Sequence, residues 1–132
     1  MSQENVEIIR RAYDALERGD LDLLASEFYD PQIEWQTSRE DPDAATHRGR
    51  EAVRRYYDQW LDSFEGLHAD VEEYIDAGDS VIVFVLMRTK GRDSGIETAR
   101  HDAQVHRLHE GLVVETDYYN DRGQALKAVG LE

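Results

Sequence analysis

The stretch Ser80-Val81-Ile82-Val83-Phe84-Val85-Leu86-Met87 decides the fold. In an extended chain Val81, Val83, Val85 and Met87 fall on one side, and Ile82, Phe84 and Leu86 on the other. An antiparallel strand with one face in water alternates apolar and polar residues, so this one needs cover on both faces. Its neighbours read as strands too: residues 68–76, 96–108 and 112–120, joined by Ala77-Gly78-Asp79, by residues 91–95 and by His109-Glu110-Gly111. Helices can cover one side of such a meander, which leaves little of the chain for the other. A second copy of the same sheet is the economical cover, predicting a homodimer through the convex face. The alternative is a sheet curved enough to close over its own second face.

The first half of the chain supplies the helices. Val6, Ile9, Tyr13 and Leu16 recur at helical spacing, Gly19 is placed to end that helix, and Asp20 to cap the next. A second helix over residues 21–29 carries Leu21, Leu24, Ala25 and Phe28 on one stripe and stops before Pro31. Residues 33–36 read as a short strand, and residues 38–48, polar and aperiodic around Pro42, as a loop. A third helix over residues 50–64 buries Val53, Tyr57, Trp60, Leu61 and Phe64, and a short helix over 124–129 closes the chain.

With 132 residues and 40% apolar content, the chain is expected to fold as a single domain, residues 1–132. Its 29 acidic against 15 basic residues give a charge of −14. A surface that acidic repels phosphate backbones and anionic headgroups, which argues against nucleic-acid and membrane partners. The absence of cysteine excludes disulfides, thiolate metal sites and a cysteine nucleophile. The longest apolar run, Val81 to Met87, is far short of the ~20 residues that span a bilayer. The N-terminus lacks a signal-peptide pattern, so the expected location is cytoplasmic.

Four segments occur in a familiar order: SQENVEIIRRAYDALERGDLDLL, HRGREAVRRYYDQWLDSF, EYIDAGDSVIVFV and HEGLVVETDYYNDRGQALKAVGL. Together they resemble the SnoaL-like polyketide cyclase family of the nuclear transport factor 2 superfamily, over nearly the whole chain. The resemblance implies an α+β fold: a cone-shaped, curved antiparallel sheet closed by three N-terminal helices, a nuclear transport factor 2-like half-barrel around an apolar pocket, usually dimeric. Function varies widely across the superfamily. In related ketosteroid isomerases the position resembling Gln104 holds a pocket acid, the general base falls on Trp35, and the oxyanion-hole tyrosine falls on Ala12, beside Tyr13. With no carboxylate at the base position, steroid isomerisation lacks its proton acceptor.

Hairpin register selects the residues that face the pocket, because a slip of one residue exchanges the faces. A two-residue Glu110-Gly111 turn would put glutamate at positive φ, so a three-residue turn with a bulge is expected instead. It pairs Leu108 with Leu112, His106 with Val114, Gln104 with Thr116, and Asp102 with Tyr118. Asp102, Gln104, His106, Thr116 and Tyr118 then share the pocket face. Asp102 and His106 are the candidate proton-transfer residues, since an apolar pocket raises a carboxyl pKa and lowers that of histidine. SnoaL-like cyclases are similar in using a pocket Asp/His pair. Gln104, Thr116 and Tyr118 are candidates to bind a substrate oxygen, and Tyr13, Trp35, Tyr57 and Trp60 to wall a small apolar ligand. No cofactor is implied, and the histidine spacings argue against a metal: His106 and His109 face opposite ways on a strand, and no His-x-x-x-His lies on a helix. The function expected is binding of a small apolar ligand with cofactor-free acid–base chemistry. The alternative is a non-catalytic accessory protein that keeps the fold.

Overall fold

The computed structural model describes residues 2–131. Helix α1, Ser2–Glu17, is followed by one capped turn, α2, Leu21–Leu23, in which the Asp20 carboxylate accepts from the Leu23 amide at 3.2 Å. The chain then widens into a π-turn, Leu24–Phe28, and enters strand β1, Tyr29–Gln36. The expected second helix is thus a short turn, and the strand starts four residues earlier than its apolar pattern implied. Pro31 has no amide hydrogen to give a ladder, and the pairing of β1 skips from Tyr29 to Glu34. The expected loop contains a short strand, β2, Thr46–Arg48. Helix α3, Arg50–Ser63, runs directly into β3, Phe64–Ala77. Then follow β4, Ser80–Gly91, β5, Glu97–His109, β6, Leu112–Tyr119, and α4, Arg122–Ala128.

The six strands form one sheet in the order β2-β1-β6-β5-β4-β3. It is mixed rather than purely antiparallel, because β1 lies parallel to β6. The sheet is open, and α1, the α2 turn and α3 pack on its concave side. Val81, Val83 and Val85 of β4 join the main core there with Ile9, Leu16, Val53 and Trp35. Ile82 and Phe84 are equally buried on the other face, but α4 covers them: Ala125 completes a second core cluster with Ala103, and Leu126 and Val129 pack against it. The Arg122 guanidinium also sits 4.3 Å from the centre of the Phe84 ring. The premise that little chain remains for this face is corrected. The seven residues of α4 cover Ile82 and Phe84, and Asp121 caps them through the Gly123 and Gln124 amides.

The β5–β6 hairpin departs from expectation twice. Its turn is the two-residue Glu110-Gly111, with Glu110 at φ 51° and Gly111 at φ 81°. Pairing begins with His109 opposite Leu112 and Leu108 opposite Val113; then Val114 bulges out, and Arg107 meets Glu115. Each change moves the register by one residue. The two together restore the original face, so Gln104, His106, Thr116 and Tyr118 still look inward. The cross-strand partners differ: His106 faces Thr116, and Gln104 faces Tyr118. Tyr118 therefore does not lie across from Asp102, as the three-residue turn would have it.

A left-handed glutamate is strained relative to asparagine, by about 1 kcal/mol. Glu110→Asn should raise the unfolding free energy by roughly 0.5–1 kcal/mol in urea titration, and Glu110→Val should lower it.

Candidate functional site

The concave side encloses an open chamber of about 280 Å³ between α3, residues 37–43 and the inward faces of β3–β6. Tyr56, Tyr57 and Trp60 project into it from α3, at neighbouring positions three and four apart on one helix face. Met87 and Tyr118 face them from the sheet, and Asp41, Pro42 and Asp43 border the space without filling it. One acidic side chain on the sheet is buried here: Asp102, 7% exposed, on β5.

Arg100 organises the polar side of this chamber. Its Nε donates to Asp102 Oδ1 at 2.8 Å, and one terminal nitrogen donates to Asp41 Oδ2 at 3.1 Å and Asn120 Oδ1 at 3.2 Å. The Asn120 amide in turn donates to Glu40 at 2.8 Å. The loop before β2 is thereby tied to the sheet and to the end of β6. Burial pushes the Asp102 carboxyl above its ordinary range, and the Arg100 charge and hydrogen bond pull against it without reversing the shift.

A second, nearly filled space of about 20 Å³ lies deeper, among Tyr13, Trp35, Gln104 and His106. That is room for one water at most. The Tyr13 hydroxyl, carried in on α1, donates to Gln104 Oε1 and lies 2.9 Å from His106 Nε2. Since its one hydrogen goes to Gln104, His106 Nε2 carries a proton and donates to Tyr13, while Nδ1 accepts from Thr116 Oγ at 2.8 Å. Burial lowers the His106 pKa to about 3, which keeps this imidazole neutral. Burial also raises the Tyr13 and Tyr118 phenols, so both stay protonated. Tyr57 lines both spaces; Trp35, packed 5.4–5.7 Å from the rings of Tyr29, Tyr57 and Tyr118, lines the inner one, and its indole nitrogen has no hydrogen-bond partner among the described residues.

The structure therefore divides the expected site residues. Asp102, Tyr57, Trp60 and Tyr118 meet in the outer chamber. Tyr13, Trp35, Gln104 and His106 surround the inner space, and Thr116 is sealed behind His106. Sequence reasoning missed Arg100, Tyr56 and Asp41. Arg100 was within reach of the same alternation, two residues before Asp102, and Tyr56 adjoins Tyr57. Asp41 lies in an aperiodic loop that gives no such signal. Among the described residues no group of three or more His, Asp or Glu is placed to hold a metal, and no helix is long and apolar enough to cross a membrane.

The sign of the His106 shift sets a pH dependence. A pKa lowered from 6.5 to about 3 stabilises the fold fully above pH 6.5. That contribution is lost as the pH falls through this window, at about 1.4 kcal/mol per pH unit, because only the unfolded chain takes up the proton. His106→Gln should remove it. Urea titrations of both proteins at pH 7.5 and 5.0 should show the wild-type advantage shrinking by about 2 kcal/mol at the lower pH.

Comparison with known proteins places this geometry. Bal32a, from a soil-derived mobile gene cassette, superposes with a TM-score of 0.82 at 22% identity, covering 97% of each chain. An NTF2-like protein of Burkholderia thailandensis gives 0.78 at 26% identity over 92% of this chain and 96% of its own. TerC, co-crystallised with polyporic acid, gives 0.78 at 17% identity over 96% of this chain and 98% of its own. No curated protein matches the sequence. The model of the SnoaL-like domain matches residues 9–116, most of the chain, which with the curved sheet and its helices shows that this protein belongs to the SnoaL-like family, with the nuclear transport factor 2-like α+β fold.

Proposed function

We propose that this protein, in the cytoplasm, binds a small, largely apolar molecule in the outer chamber and moves protons on it without a cofactor. The observation that carries this reading is the chamber itself: about 280 Å³ walled by aromatic side chains around one buried carboxylate. Only Oδ1 of Asp102 is hydrogen-bonded among the described residues, which leaves Oδ2 to accept a proton from carbon or oxygen. For a ketone, the α-proton passes to Asp102, and the enolate oxygen takes a hydrogen bond from the Tyr118 phenol. His106 is the second candidate for proton transfer, but both its nitrogens face protein partners. Its role in this reading is to hold Tyr13, with Gln104 and Thr116 supporting it. TerC, which shares the fold, was co-crystallised with polyporic acid, which supports a small-molecule ligand here.

The second reading is a binding or accessory protein without catalysis, favoured by the salt bridge on Asp102 and the saturated His106. 2-Tetralone separates the two, being a neutral bicyclic ketone with exchangeable α-protons. Calorimetric titration should give saturable binding below about 1 mM, weakened at least tenfold by Thr98→Phe, which crowds the chamber wall. Proton NMR in deuterium oxide should show accelerated α-exchange that Asp102→Asn loses while binding persists. Binding without exchange supports the accessory reading, and absence of binding overturns the ligand-binding reading in favour of the accessory one.

We also propose that the protein is a homodimer through the convex face. Leu86, Val105 and Tyr119 there remain only half covered beside α4. Sedimentation velocity at micromolar concentration should give the mass of two chains, and a monomer at all concentrations overturns the proposal.

A further inference from the structure

The charges around the outer chamber are lopsided. Asp41, Asp43 and Asp102 border it, against Arg100 as its one cation among the described residues. Three of its hydrogen bonds go to protein groups, Asp102 at 2.8 Å, Asp41 at 3.1 Å and Asn120 at 3.2 Å, through Nε and one terminal nitrogen. One positive charge thus answers two carboxylates, and Asp43, exposed at the mouth, pairs with no cation among the described residues. An anionic ligand would have to sit beside Asp41 and Asp102, whose charges already exceed that of the guanidinium. A cation meets the opposite situation: two uncompensated negative charges, and walls of Tyr56, Tyr57, Trp60 and Tyr118. Aromatic rings present a negative quadrupole to a positive charge, most strongly where water is excluded. The net charge of −14 adds an attractive field at longer range.

We infer that the outer chamber is selective for organic cations, taking an alkyl- or arylammonium group of one- or two-ring size between its aromatic walls and Asp43. This rests on the chamber being a ligand site, as proposed above, and adds the charge of the ligand. The carboxylates set the sign, and the aromatic side chains discriminate a methylated or arylated ammonium from a hydrated metal ion, which keeps its waters and gains little from an apolar wall.

The test compares probes of one shape and different charge. Phenyltrimethylammonium and tert-butylbenzene are nearly isosteric, and benzenesulfonate supplies the anion. Binding to the intact protein is followed by NMR through the Trp60 indole and Arg100 Nε resonances, so that diffuse attraction to an acidic surface is not counted. The expected result is at least tenfold tighter binding of phenyltrimethylammonium than of tert-butylbenzene, with no shifts for benzenesulfonate. Asp43→Asn should narrow the ratio at least threefold, as should 0.5 M salt, because the charge it removes lies at the rim. Trp60→Leu, checked for folding by its amide spectrum, should weaken the cation more than its neutral isostere. Equal affinities for the cation and the isostere, or preference for the sulfonate, overturn the inference while leaving the chamber a ligand site. If neither these probes nor 2-tetralone binds, the ligand site itself is overturned and the inference with it.

Discussion

The pairing of β5 with β6 is the constraint on which the site depends. Side chains alternate faces along a strand, so each one-residue change of register exchanges what points into the cone and what points out of it. A tight turn at Glu110-Gly111 alone would misalign the two strands by one residue, and the Val114 bulge absorbs that residue. The compensation sets His106 against Thr116 and Gln104 against Tyr118, and these pairings make the inner network geometrically available. The strain at Glu110 is tolerated because the rest of the hairpin over-determines the turn.

With that register set, two kinds of polar group are separated by depth. The inner ones are bonded to one another: Tyr13 to Gln104 and His106, and His106 to Thr116, in a space with room for no more than a water. Such a network makes a uniquely packed core, and its burial keeps the imidazole neutral. The outer ones are asymmetric, since Arg100 gathers more negative charge than it can neutralise while aromatic side chains occupy the remaining wall. The proposed chemistry and recognition therefore belong to the outer chamber, and Tyr57 stands between it and the packed interior.

Arg100 also joins regions far apart in the chain. It connects β5 to the loop before β2 and to the turn after β6, and Asn120 passes the connection on to Glu40. The loop that borders the chamber is consequently held by the same cation that holds the buried carboxylate. A change at Asp41 would reach Asp102 through a single guanidinium, so the mouth and the floor of the site are electrostatically coupled.

Much of the fold was legible locally. The doubly apolar run Val81–Met87, the helical spacing of Val6, Ile9, Tyr13 and Leu16, and the aromatic face of residues 53–61 are periodic signals that burial imposes on any helix or strand. The inward set Gln104, His106, Thr116 and Tyr118 was legible as well, although through two register errors that cancelled. The π-turn at Leu24–Phe28, the β2 strand and the parallel placement of β1 beside β6 depend on partners remote in sequence. So does α4, whose seven residues are too few to signal that they cover Ile82 and Phe84. The site follows the same division. Residue type and alternation nominate Asp102, His106 and Tyr118. Only tertiary structure decides that His106 is saturated, that Asp102 carries a salt bridge, and that Asp41 reaches Arg100 from 59 residues away. The physical reason is that periodicity reports which face of an element is buried, whereas hydrogen bonding and charge depend on what the opposite face of the cavity presents.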